Sequence, residues 1–233
     1  MQSTLLVFTL NEYEGFRQIM PQVDRSWFDQ ILVVDGGSTD GTVELAKEMG
    51  FEVYKQKRRG LRHAYTEAMP LVRGDFFVPF SPDGNSVVSR LPVLIEKMHG
   101  GYDMVTVSRY AEGARSADDD IVTSFGNWMF TRLINLLHGG SYTDAMVMYR
   151  GIRKQVFYDL GLHEDSAYST PEFLFRTTVC IMPLLSIRAA KRKIKYAEIP
   201  GDEPKRIGSE RKLQVIRWGC SYLYQTIVEA FRR

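Results

Sequence analysis

Two acidic stretches in the first half of the chain hold the residue types best suited to chemistry. Asp35 follows the apolar run Ile31 to Val34 and precedes Gly36, Gly37, Ser38, Thr39 and Asp40. A carboxylate at the end of a buried strand, beside backbone N–H groups freed by a glycine turn, suits ribose hydroxyls or a base edge better than phosphate. The same pattern also reads as an aspartate that caps its own turn. Asp83 lies within Ser81-Pro82-Asp83-Gly84-Asn85-Ser86. Oxygen-bearing side chains at alternate positions suit a hard divalent cation, Mg²⁺ or Mn²⁺, that holds a diphosphate and stabilises it as a leaving group. Pro-Asp-Gly-Asn is equally what a plain turn looks like. Asn11 and Glu12 close the first apolar run, while Asp144, with Arg150 behind it, and Glu172 stand alone further on.

Placing these groups together requires a parallel sheet. Apolar runs at Leu5 to Leu10, Ile31 to Asp35, Phe51 to Gln56, Asp75 to Phe80 and Met104 to Arg109 read as strands. Helical segments at Gly15 to Met20, Val43 to Met49, Ala64 to Met69 and Ser89 to Met98 separate them. Strand and helix in alternation give a mostly parallel α/β sheet flanked by helices. Strand ends along one edge then converge, so Asn11, Glu12, Asp35 and Asp83 share one crevice. Beyond it, Ala111 to Asp120 reads as a mobile polar loop. Ile121 to His138 reads as a helix stopped by Gly139-Gly140, its face of Val122, Phe125, Met129, Leu133, Leu136 and Leu137 turned to the core. Ala145 to Tyr149 reads as a further strand.

Composition limits class more than function. With 233 residues, 44% of them hydrophobic, the chain has material for a globular core, and a net charge of +2 gives no reason to expect nucleic acid. Cys180 and Cys220 have no metal or redox spacing and read as core or interface residues of a reducing compartment. The start lacks the pattern of a signal peptide, and no apolar run approaches the roughly 20 residues of a membrane span. A cytoplasmic protein is expected. The C-terminal part is different in character: Arg188, Lys191, Arg192, Lys193 and Lys195 precede an amphipathic run of Val215, Ile216, Trp218, Leu223, Ile227 and Val228. Such a basic, aromatic helix lies at a membrane surface, or packs on the domain or in a homodimer.

Three blocks carry a family likeness: Val7 to Glu12, Val33 to Thr42, and Gly60-Leu61 to Ala64-Tyr65, with Gly74-Asp75 ahead of the acidic loop. Together they resemble family 2 glycosyltransferases of the GT-A fold, and most nearly the dolichol- or polyprenyl-phosphate sugar synthases. Ser108-Arg109-Tyr110, Gly113, Asp144, Arg150, Glu172, Ile199-Pro200, Arg206, Gly208 and Lys212 follow in that subgroup's order. The resemblance implies one GT-A domain over 1–233, with a nucleotide-sugar half at 1–110, an acceptor half at 111–208 and a C-terminal helix at 209–233. It implies inverting transfer from a nucleoside diphosphate sugar to a polyprenyl phosphate or similar lipid-linked acceptor. A saccharide hydroxyl, or a protein that only binds sugar nucleotides, is the alternative.

Asn11, Glu12 and Asp35 are then the base and ribose contacts, and Gly37, Ser38, Gly60, Leu61 and Arg109 join the substrate-binding set. Asp83 corresponds to the last acid of an Asp-x-Asp metal motif, with Asn85 beside it. Ser81 stands where the first acid belongs, Gly36 replaces a second Asp, and Arg62 replaces a Gly. One carboxylate fewer weakens a hard-cation site and shifts phosphate neutralisation to Arg206, Lys212 and Arg150. An ionised lipid phosphate needs no strong base, whereas a sugar hydroxyl would call on Asp144 or Glu172.

Overall fold

A computed structural model describes residues 1–168, 181–208 and 215–232. Its strands are β1 (Ser3–Thr9), β2 (Gln30–Asp35), β3 (Glu52–Lys55), β4 (Phe76–Phe80), β5 (Met104–Ser108), β6 (Arg150–Arg153) and β7 (Tyr196–Pro200). They form one sheet in the order β3-β2-β1-β4-β6-β5-β7. All neighbours pair in parallel except around β6, which runs against β4 and β5. The helices are α1 (Tyr13–Ile19), α2 (Thr42–Glu48), α3 (Leu61–Ala68), α4 (Leu91–His99), α5 (Ile121–His138), α6 (Lys154–Asp159), α7 (Ile181–Lys191) and α8 (Val215–Phe231).

Alternate side chains of β1 feed two cores, because successive residues of a strand point to opposite faces. Leu5 and Val7 join Phe16, Ala46 and Leu94 on one side, while Leu6 and Phe8 join Tyr65, Phe157 and Leu185 on the other. Burial on both faces is the reason the strand reads as a continuous apolar run. The α/β alternation expected for the first half is present, with element ends displaced by a few residues.

Two expectations for the second half are corrected. No ladder forms over Ala145 to Tyr149; the strand is β6, one step later. The guanidinium of Arg150 lies in the core and donates to the carbonyls of Ala145 and Val147 and to Ser186 Oγ. Those carbonyls are therefore satisfied by a side chain instead of a neighbouring strand. The second correction is the facing of α5. Its buried residues are Asn127, Phe130, Thr131, Ile134 and His138, whereas Ile121 is 89% and Leu136 82% exposed. Val122, Phe125 and Leu137 are exposed as well.

The helix that covers α5 is also polar inside. Ser221, Gln225, Thr226 and Glu229 of α8 are buried, while Ile216 and Phe231 are 83% and 84% exposed. His138 Nε2 donates to Thr226 O at 3.1 Å, and Phe130 meets Tyr222 edge-on at 5.8 Å. Arg188 Nη2 pairs with Glu229 at 3.1 Å, and Lys191 Nζ donates to Glu229 O at 2.8 Å. Two cations of the basic run thus fasten α8 to α7 instead of facing a surface. Cys220 is exposed on α8, not buried; Cys180 lies outside the described residues.

Candidate functional site

The carboxyl ends of β1 and β2 form one wall. Asn11 takes a left-handed backbone, φ 54°, which brings its side-chain oxygen onto Thr39 N at 2.9 Å, while Ser38 Oγ accepts from Asn11 N at 2.9 Å. Asp35 is fully buried and accepts from Gly37 N at 2.9 Å, Ser38 N at 3.0 Å and Thr9 Oγ1 at 3.1 Å. This carboxylate shapes the 36–38 turn from beneath. Gly37, at φ 102°, has nothing within 4 Å of where a Cβ would stand, so the turn is open on its outer side. A cleft of about 290 Å³ runs beside it, bordered by Asn11, Glu12, Asp40, Ile207 and Gly208.

Ile207 and Gly208 belong to a loop that folds over the acidic stretch after β4. Asp83 O accepts from Ile207 N at 2.8 Å, and Arg206 places Nη1 3.4 Å from Asp83 and Nε 3.2 Å from Asp118. From below, α1 fixes the same stretch: a Cβ on Gly15 would stand 2.4 Å from Pro82 O, closer than real contacts allow. Gly15→Ala is expected to push Pro82 and Asp83 outward and to cost about 1–3 kcal/mol of stability. Urea unfolding checks it, and an unchanged midpoint would show that the loop tolerates the shift.

Beyond Asp83 opens a second cavity of about 400 Å³. Asp83, Asn85, Arg109, Glu203 and Arg206 are part of its polar lining, and Phe130, Met146, Met148, Trp218 and Tyr222 part of its apolar lining. Arg109 is held from behind by Asp144, with Nε 2.6 Å and Nη2 3.1 Å from the two carboxylate oxygens, while Nη1 reaches Glu203 at 3.1 Å. Burial opposes charge on Asp144, but Arg109 outweighs it and keeps the carboxyl below its usual range. Burial dominates at Glu203 and raises its carboxyl despite Arg109.

Asp144 is fully buried behind Arg109, and its depressed affinity for protons makes it a poor base; it positions the guanidinium. Arg150 is a core residue bound to carbonyls and does not border the cavity. Gly60 opens α3 at φ 110° and Leu61 packs on the core; neither borders the two cavities. Glu172 and Lys212 lie outside the described residues. The site gains Asp118, Asp119 and Glu203. The acidic triplet at 118–120 reads in sequence only as charge in a loop, and Glu203 has no local pattern to mark it.

The donor set suits a divalent cation that is bound mainly through its ligand. Among the described residues no cluster of three or more His, Cys, Asp or Glu side chains forms a metal cage. Asn85 Oδ1 is nevertheless buried with no hydrogen-bond partner, on a residue whose backbone N donates to Asp83 Oδ1 at 3.1 Å. Five carboxylates, Asp83, Asp118, Asp119, Asp144 and Glu203, surround the guanidiniums of Arg109 and Arg206. A diphosphate entering such surroundings needs further positive charge, and one carboxylate plus phosphate oxygens is a common way to hold Mg²⁺.

Residues 5–161 match the model of glycosyl transferase family 2. Glycosyltransferase AglJ of Haloferax volcanii is 28% identical over 217 residues, 92% of this chain and 67% of the relative. A dolichyl-phosphate hexose transferase of the same organism is 27% identical over 215 residues, 91% of this chain and 87% of the relative. Among solved structures, glucosyl-3-phosphoglycerate synthase from Mycobacterium tuberculosis, in complex with Mn²⁺, uridine diphosphate and phosphoglyceric acid, superposes with a TM-score of 0.69. It is 17% identical, with 99% of this chain and 78% of that one covered, a likeness of GT-A fold. With most of its sheet and both acidic stretches inside the matched region, the chain belongs to glycosyl transferase family 2 and is a glycosyltransferase of the hexose-transferring class.

Proposed function

We propose that the enzyme moves a hexose from a nucleoside diphosphate sugar to a polyprenyl phosphate, with inversion at the anomeric carbon. The observation that carries this reading is the second cavity, whose lining joins the ion-paired charges around Asp83, Arg109 and Arg206 to apolar side chains of α5, α8 and the 146–149 segment. A phosphate among the charges and a hydrocarbon against Phe130, Met146, Met148, Trp218 and Tyr222 match that lining. The dolichyl-phosphate hexose transferase similarity points to the same acceptor class.

The nucleoside lies against Asn11, Glu12 and the Asp35 turn, with its diphosphate at Asp83. Asp83 and Asn85 would hold Mg²⁺ or Mn²⁺, which supplies charge neutralisation for the leaving diphosphate. Arg206 contributes to the same neutralisation, and Arg109, aimed by Asp144, receives the acceptor phosphate. An oxygen of that phosphate attacks the anomeric carbon, the carbon–oxygen bond to the diphosphate breaks, and the nucleoside diphosphate departs with the electron pair. The acceptor oxygen is already ionised, so no base is needed. A saccharide acceptor would need one, and Glu203, with its raised carboxyl at the cavity, is the described residue that favours this second reading.

No helix among the described residues is long and apolar enough to cross a membrane. The outward apolar faces of α5 and α8 flank the cavity walls and suit a peripheral seat on a lipid surface, although a second copy of the chain would cover the same face. The decisive experiment supplies labelled nucleotide sugars with dolichyl phosphate in vesicles or with free saccharides. Labelled lipid in Mg²⁺ or Mn²⁺, reduced at least tenfold by EDTA, is expected. Labelled saccharide without labelled lipid would overturn the acceptor assignment.

A further inference from the structure

Asn127 sits mid-helix on α5, only 6% exposed, and borders the second cavity. Its Oδ1 is buried with no hydrogen-bond partner. An amide oxygen in this state costs stability, since its water contacts are lost and nothing replaces them. Its surroundings add a second anomaly. Gly126 and Gly219 also border the cavity, from the interiors of α5 and α8, and a Cβ on either would meet nothing within 4 Å. Glycine inside a helix is unfavourable for backbone entropy, and here no close neighbour requires it. Both helices therefore give up stability to keep open space beside one unsatisfied amide.

We propose that Asn127, with the space left by Gly126 and Gly219, is the subsite that reads hydroxyl groups of the transferred sugar, making it a specificity-determining residue. This rests on the nucleotide-sugar reading above. An amide offers both a donor and an acceptor, which matches a sugar hydroxyl, whereas a hydrocarbon chain would gain from leucine at this position. Asp83 and Asn85, assigned above to the diphosphate and its cation, line the same cavity, so a sugar attached to that diphosphate shares its space with Asn127.

The test compares wild type, Asn127→Leu and Gly126→Ala by melting temperature and by calorimetric binding of bare nucleoside diphosphates and their sugar conjugates. Expected is a melting temperature equal to or above wild type in both variants, because an orphan amide or a helical glycine is removed. Affinity for the bare nucleoside diphosphate should stay within about twofold, while the extra affinity contributed by the sugar falls at least tenfold in Asn127→Leu. A purely structural Asn127 would instead lower the melting temperature and leave the sugar increment intact, and that result overturns the inference alone. Wild type that binds no nucleoside diphosphate would overturn the proposed function and the subsite together.

Discussion

Arg206→Ala is expected to lower kcat/KM by about 100- to 1,000-fold, the usual effect of deleting a group aimed at charge that develops in the transition state. Arg206 is half-buried, touches both Asp83 and Asp118, and belongs to the loop that separates the two cavities. Its removal takes one of two described guanidiniums from a site rich in carboxylates, at the position that the proposed function gives to the departing diphosphate. Arg206→Lys keeps the charge and loses the fork, so a loss of about tenfold is expected. Steady-state kinetics at saturating cation distinguish the two variants. A kcat/KM within threefold of wild type for Arg206→Ala would remove the residue from the reaction.

Asp144→Ala is expected to cost about 3–5 kcal/mol of stability, because it leaves the Arg109 charge buried without its closest partner. Asp144→Asn keeps the shape and changes the response to acid. The folded carboxyl titrates below the unfolded value of about 4, so the folded state binds fewer protons. Its stabilisation is therefore complete above pH 4 and is lost as the pH falls through the depressed folded value. Urea unfolding between pH 3 and 6 should show that acid limb in wild type and a flatter one in Asp144→Asn. Glu203 acts in the opposite sense. Its raised carboxyl favours folding below the unfolded value, an effect that fades as the pH rises through the folded one. If Asp144→Asn left the limb unchanged, the Arg109 pair would not be its source.

Local pattern made the first half of the chain legible. The β-branched run before Asp35, the glycines after it and the helical spacing that follows are short-range constraints, and each part of that segment favours the same strand, turn and helix. They also bring the ends of β1, β2 and β4 to one edge, because parallel strands place their carboxyl ends together, but the expected single crevice is divided: Asn11 and Glu12 border one cavity, Asp83 the other, and buried Asp35 neither. The family resemblance rests on the same segments, which is why it survived contact with the structure.

Facing and pairing were decided elsewhere. The periodicity of α5 shows an apolar stripe, but which side of the helix meets protein depends on α7 and α8, distant in sequence, and four of its six residues turn outward. Arg150 resembled a phosphate ligand until the carbonyls of Ala145 and Val147 claimed its guanidinium. Asp144 resembled a base until Arg109 closed on both its oxygens. Glu203, without a motif of its own, became part of the site because the loop after β7 crosses the cavity. Sequence thus determined which elements form and which strand ends converge, since those follow from neighbours in the chain. Tertiary structure alone decided which charges neutralise one another and which faces stay bare, because a buried charge is settled by the partner nearest in space.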